Sequence, residues 1–133
     1  VVAMGILILI FGVGAPLFAD AYRDIALRTE QKRFVNLLRR AEQYAFSNHA
    51  ASSYGLRIFD GSFIFFRGSS YADRNAVFDE TYARSDTLRF SGPSEIIFFS
   101  PAGLPSGAAS WSLFRGDERI GLIVLNEYGA ITW

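Results

Sequence analysis

The first nineteen residues, VVAMGILILIFGVGAPLFA, carry no charged and no polar side chain, and this run constrains the chain more than any other feature. Such a segment has to be taken out of water on every side. As an α-helix rising 1.5 Å per residue it reaches about 28 Å, close to the ~30 Å hydrocarbon core of a bilayer. Eleven of its residues are Val, Ile, Leu or Phe, together on the order of −3 to −7 kcal/mol on a biological insertion scale before Gly and Pro are set against them. A chain of 133 residues lacks the interior volume to wrap all faces of this helix as a core element. A cleavable signal would carry a shorter apolar region, roughly 7–15 residues, and a small-residue cleavage site ahead of the mature start. Here Phe18-Ala19-Asp20 runs on in phase, without a turn signal, into an amphipathic pattern. Residues 1–19 are therefore expected to form a transmembrane helix.

The surface of that helix is Val1, Val2, Ile6, Leu7, Ile8, Leu9, Ile10, Phe11, Gly12, Val13, Gly14, Pro16, Leu17 and Phe18. Gly costs a helix about 1 kcal/mol and interior Pro about 3 kcal/mol relative to Ala, so the Gly12, Gly14, Pro16 cluster is locally weak. On composition alone it reads as a tolerated kink. The chain opens inside the apolar run, with no initiator Met and no basic leader ahead of Val1, so a segment upstream is expected. Membrane orientation cannot be taken from flanking Lys and Arg for the same reason.

Between Asp20 and Ala50 the apolar residues Ile25, Phe34, Leu37, Leu38, Ala41 and Ala45 recur at helical spacing, with no Gly or Pro among them. Glu30, Lys32, Arg33, Asn36, Arg39, Arg40, Glu42 and Gln43 fill the positions between. The two segments read as one helix of up to about 48 residues, ~72 Å, apolar all round in its first half and striped in its second. The stripe needs a surface to dock on.

Beyond the small cluster Ala50-Ala51-Ser52-Ser53 the periodicity becomes that of strands. Leu56–Phe59, the turn Asp60-Gly61 and Phe63–Phe66 give a strong hairpin signal. Residues 68–86 are polar and irregular; strands are expected near Thr87–Phe90 and at Glu95–Phe99, a loop over Ser100–Gly107, and strands at Ala109–Phe114, Ile120–Leu125 and Ala130–Trp133. The predicted class is α+β: a long N-terminal helix whose second half, residues 20–50, covers one face of an antiparallel sheet formed by residues 51–133, the two making one globular unit.

Charge excludes some function classes. Thirteen Lys plus Arg balance thirteen Asp plus Glu, and only one of the basic residues is Lys, so no global field favours a strongly electrostatic partner such as duplex DNA. A local basic patch remains on the helix, where DNA or anionic lipid contact is the minor reading. The major one takes Arg28, Lys32, Arg33, Arg39 and Arg40 as a solvated face with ion pairs within the helix or between subunits. With no Cys there is no disulfide, thiolate metal site or thiol nucleophile.

No catalytic, cofactor-binding or metal-binding residue emerges. His49 is the only imidazole and sits where the helical pattern ends. No Ser/His/Asp signature, phosphate-cradling Gly loop or His-rich metal spacing is present. Asp79-Glu80 and Asp117-Glu118 read as turn charges rather than a Ca²⁺ loop. Phe63, Phe65, Phe66, Phe98, Phe99 and Trp111 read as core and interface residues, and Arg57, Arg67, Arg89 and Arg115 as exposed charges that discourage edge pairing.

The parts together resemble a type IV pilin-like protein of the GspH-type pseudopilin or minor-pilin group. The resemblance rests on VVAMGILILIFGVGAPLFADAYR, on the long helix continuing through Arg40, and on the closing pattern IIFFSPAGLPSG followed by WSLFRGDERIGLIVLNEYGAITW. It implies a non-enzymatic structural subunit of a type IV pilus or type II secretion-like filament, made without a cofactor. It also implies a prepilin peptidase acting on the precursor, methylation of the new N-terminus and a Glu near it; aligning Pro16 with the family's helix-breaking proline puts these about six residues upstream of Val1. Under the resemblance Gly12, Gly14 and Pro16 become a segment that loosens when subunits polymerise. The implied partners are membrane lipid before assembly and other pilin or pseudopilin subunits, through the N-terminal helix, afterwards. The implied location is a single-pass cytoplasmic membrane protein with its sheet domain outside, then a surface or periplasm-spanning filament. The competing expectation is a single-pass, membrane-tethered binding domain that never polymerises.

Overall fold

The computed structural model describes the backbone of residues 2–133 and the side chains of residues 21–133. The chain begins with one α-helix, α1 (Val2–Phe46), and divides into two compact units, Val1–Glu30 and Gln31–Trp133. Among the described residues no helix is long and apolar enough to cross a membrane. The expected transmembrane and assembly surface, Val1 to Phe18, lies outside the described side chains. In the first unit Ile25, which periodicity assigns to the apolar stripe, is 63 % exposed, whereas Glu30 is buried. The docking stripe therefore starts later than its spacing suggests.

In the second unit α1 contributes Phe34, Val35, Leu37, Leu38, Ala41 and Ala45, all buried, at the i, i+3, i+4, i+7 spacing that places them on one face. The helix ends at Phe46 rather than at Ala50. Asn48 adopts the left-handed conformation (φ 54°) and a short 3-10 turn follows at His49–Ala51, with Ala50 and Ala51 also at positive φ. A left-handed residue cannot propagate an α-helix.

Nine strands follow: β1 (Tyr54–Ile58), β2 (Ser62–Arg67), β3 (Glu80–Ala83), β4 (Arg89–Ser91), β5 (Glu95–Phe99), β6 (Leu104–Pro105), β7 (Ala109–Arg115), β8 (Glu118–Leu125) and β9 (Ile131–Thr132). They form two antiparallel sheets rather than the single one expected, a five-stranded β3-β2-β1-β5-β6 and a four-stranded β4-β7-β8-β9. Alternation marks a strand but not its neighbour, which is why one sheet and two read alike in sequence. Two strands also lie in segments read as irregular: β3 within residues 68–86, and β6 within the Ser100–Gly107 loop.

The helix stripe joins the sheets. Phe34 is fully buried, and its ring lies 5.3 Å from Phe63 of β2, 5.3 Å from Phe90 of β4 and 4.9 Å from Trp111 of β7. These tilted and edge-on contacts suit the ring quadrupoles. Trp111 is also fully buried and donates its indole N–H to the Pro93 carbonyl at 2.8 Å, so its one polar atom is satisfied. The aromatic assignment holds for Phe63, Phe65, Phe66, Phe98 and Trp111, whereas Phe99 faces outward at 43 % exposure.

Residues 68–79 cover part of the five-stranded sheet's other face. Tyr71 packs its ring 5.5 Å from Phe66 and 5.8 Å from Phe59, and its backbone N–H donates to Glu95 at 2.7 Å. Arg57, read from sequence as an exposed charge, is instead half-buried, paired with Glu95 across β1 and β5 at 3.2 Å. Replacing Phe34 by Ala removes a ring that touches both sheets, and is expected to cost about 3–5 kcal/mol of stability in denaturant unfolding, the range for a buried Phe.

Candidate functional site

The second half of α1 carries two polar arrangements. In the first, the Arg40 guanidinium reaches β3. It contacts Glu80 through Nη2–Oε1 at 3.0 Å and Nη1–Oε2 at 2.6 Å, and its Nη1 donates to the Tyr82 hydroxyl at 2.7 Å. Tyr82 in turn donates to Glu80 Oε2 at 2.8 Å. Residues 80 and 82 share a strand face because side chains alternate with period two, so a single helical Arg can reach both. The guanidinium also lies 4.7 Å over the Phe65 ring and 5.1 Å over Tyr44.

The hydrogen bond from Arg40 holds the Glu80 carboxyl below its ordinary value, and the same bond raises the Arg40 guanidinium further. Burial, then the bond to Glu80, pushes the Tyr82 phenol up. Two turns earlier Arg33 donates to the Ala83 carbonyl at 2.7 Å. Two arginines of α1 thus occupy β3, an edge of the five-stranded sheet, which is one way to blunt an edge. Glu80, read as a turn charge, is an anchoring group; Asp79 beside it is bound by Arg74 at 2.8 Å. Asp117 and Glu118 lie at the exposed β7–β8 turn, as expected.

The second arrangement is a groove of about 460 Å³ at the C-terminal end of α1, lined by Arg39, Glu42 and Phe46 of the helix, Gly103 and Leu104 before and within β6, and Tyr128 of the β8–β9 turn. Two glycines let backbone reach the helix. Gly103 has φ +69°, and a Cβ there would sit 2.8 Å from Cβ of Phe46; Gly129 has φ +91°, and a Cβ would sit 2.5 Å from Glu42 Oε1. The β8–β9 turn is held by Asn126, whose side-chain oxygen accepts from the Tyr128 and Ala130 N–H groups, both at 2.9 Å.

Glu42 is half-buried and accepts no hydrogen bond among the described residues. Burial pushes its carboxyl up, and the nearby charge of Arg39, which forms no ion pair with it, lowers it in part. The walls are aromatic and open, with Tyr128 75 % and Phe46 70 % exposed. Sequence reading found both turns from their composition but not that they converge on the helix.

Among the described residues no group of three or more His, Asp or Glu side chains could hold a metal ion. His49 stacks near Tyr44, ring centroids 4.9 Å apart, at the end of the helix where its position in sequence puts it. Arg67 lies 4.4 Å over Phe78 and Arg89 4.4 Å over Phe114, so these strand-end charges cover rings as well as facing water. Comparison with protein-family models, with curated proteins and with solved structures finds no match to this chain.

The depressed Glu80 carboxyl sets an acid sensitivity. Because its folded value lies below the unfolded one of 4.5, its contribution is complete above that pH and is lost as pH falls through the folded value. Glu80→Gln is expected to flatten the fall in stability below about pH 4.5 while costing no more than about 1 kcal/mol at pH 7, since the pair is partly exposed; unfolding curves at a series of pH values measure both.

Proposed function

We propose that this chain is a structural filament subunit of the type IV pilin-like class, resembling GspH-type pseudopilins and minor pilins. The observation that carries the reading is the division of labour along α1. From Gln31 the helix is part of an α+β unit, while the sequence of residues 1–19 holds no side chain that water or a folded sheet domain would solvate. In this reading the helix of residues 1–19 resides in the cytoplasmic membrane, with the sheet unit on its outer side, after a prepilin peptidase has processed the precursor.

Assembly then exchanges partners. The apolar helix leaves lipid and packs among identical or related helices, so burial is roughly conserved and van der Waals packing decides association. Gly12, Gly14 and Pro16 serve as the segment that loosens during this transfer, because they carry the poorest helix propensity in the run. The second unit keeps its fold throughout, since its core is complete from Phe34 onward. The role is structural and needs no cofactor.

Fractionation of cells making the full chain tests this. The chain is expected in the membrane and also in sheared extracellular or periplasmic fibres, and Leu9→Arg, a change worth about 3 kcal/mol against insertion at a helix centre, is expected to remove it from both. A chain that stays in the membrane and never enters fibres while related subunits assemble overturns the reading in favour of a membrane-tethered binding domain. Loss of the apolar run during maturation overturns it as well.

A further inference from the structure

Beside its buried stripe α1 carries a second one. Arg39, Glu42, Gln43 and Phe46 recur at i, i+3, i+4 and i+7, so they share one face of the helix, and all four line the open groove. Leu104 and Tyr128 complete the lining from the sheet portion of the unit. The volume of about 460 Å³ falls in the range of small-ligand sites, roughly 300–1,000 Å³. Among the described residues no side-chain hydrogen bond or ion pair engages Arg39, Glu42 or Gln43.

These groups offer hydrogen bonding of both kinds at one place: the guanidinium donates, the carboxylate accepts and the amide does both. Glu42 is half-buried and burial pushes its carboxyl up, the mark of an acceptor short of donors. The charges of Arg39 and Glu42 cancel, so the groove has no net sign with which to draw in an ion. Phe46 and Tyr128 are the two aromatic side chains most exposed in the unit Gln31–Trp133, and the electron-rich faces of such rings take up C–H groups. A single ion would pair with one charge and leave the other without a partner. A purely apolar ligand would cover the rings and cut the carboxylate off from water with no donor in exchange. A zwitterion would rely on Arg39, which is exposed, and exposed ion pairs contribute little.

We propose that this groove is a carbohydrate-binding site for a glucose-configured pyranose, whose hydroxyls bond to Arg39, Glu42 and Gln43 while its C–H face lies on Tyr128 and Phe46. Such a sugar is uncharged, and each hydroxyl both donates and accepts. Its equatorial hydroxyls radiate from the ring edge and leave both ring faces as C–H, so one molecule presents a polar edge to the helix residues and a flat apolar face to the aromatic ones. Because the groove is open, the rest of a longer glycan stays in water. The proposal needs only the unit Gln31–Trp133 and is independent of the filament reading above.

Saturation-transfer NMR on the full chain, kept in a detergent without a sugar headgroup, tests this with cellobiose as the probe. Magnetisation is expected to pass from the protein to the ring C–H protons of cellobiose, with millimolar affinity that stays nearly constant as NaCl is raised, since an uncharged ligand is not screened. Tyr128→Ala and Glu42→Ala should each weaken binding about tenfold. Tyr128 is exposed, so its removal leaves the fold intact, and an unchanged circular dichroism spectrum checks this for both variants. Absence of transfer at millimolar cellobiose overturns the proposal, as does transfer that Tyr128→Ala leaves unchanged. Tighter binding of lysine or of γ-aminobutyrate than of cellobiose, weakening as salt is added, would assign the groove to charged ligands and overturns it as well.

Discussion

Phe34 is the point at which the helix, the five-stranded sheet and the four-stranded sheet share one contact. Its ring touches Phe63 in one sheet and Phe90 and Trp111 in the other, and among the described residues no strand pairing links the two sheets. Sheets of five and four strands each leave a hydrophobic face that has to be covered. One helix stripe does this for both, and the alignment of the sheets follows from where the stripe places its largest side chain. Around that point the polar groups reinforce the arrangement. Arg84, buried near the Phe63 and Phe90 rings, donates to the Phe59 and Leu88 carbonyls at 2.6 and 2.7 Å, tying the segment after β3 to the β1–β2 turn.

The helix is thus bound on two chemical levels. Its apolar stripe sets position, and Arg33 and Arg40 set which strand lies alongside. The edge strand β3, paired with β2 along its length, is bound to the helix by these side chains: Glu80 and Tyr82 meet Arg40, and the Ala83 carbonyl meets Arg33. Where α1 stops at Phe46, an open groove lies between the helix end, Leu104 and Tyr128.

Much of the fold was legible in the sequence. The β1–β2 hairpin was visible because Asp60-Gly61 separates two runs of strand formers, and β8 because the apolar run Ile120–Leu125 lies between the turns Arg115-Gly116-Asp117 and Asn126-Glu127-Tyr128-Gly129. The stripe of Phe34, Leu37, Leu38, Ala41 and Ala45 was visible from its spacing. What escaped had no local signal. β3 reads Glu-Thr-Tyr-Ala, without apolar alternation, because the groups that hold it lie about forty residues upstream. β6 is a Leu-Pro pair defined only by its partner Phe98-Phe99. The division into two sheets depends on pairing, which periodicity does not record. Of the candidate sites, the apolar helix surface was named from composition and lies outside the described side chains, whereas the groove joins residues 39–46, 102–104 and 128 and could not be read from any one of them.

Whether one helical side chain holds both sheets in a single cooperative unit is decided by amide hydrogen exchange on the full chain carrying Phe34→Leu, compared with the unsubstituted chain and read separately for β2 and β7. Both strands are expected to lose protection by the same factor. Loss of protection in one sheet while the other keeps its original exchange rates would contradict it.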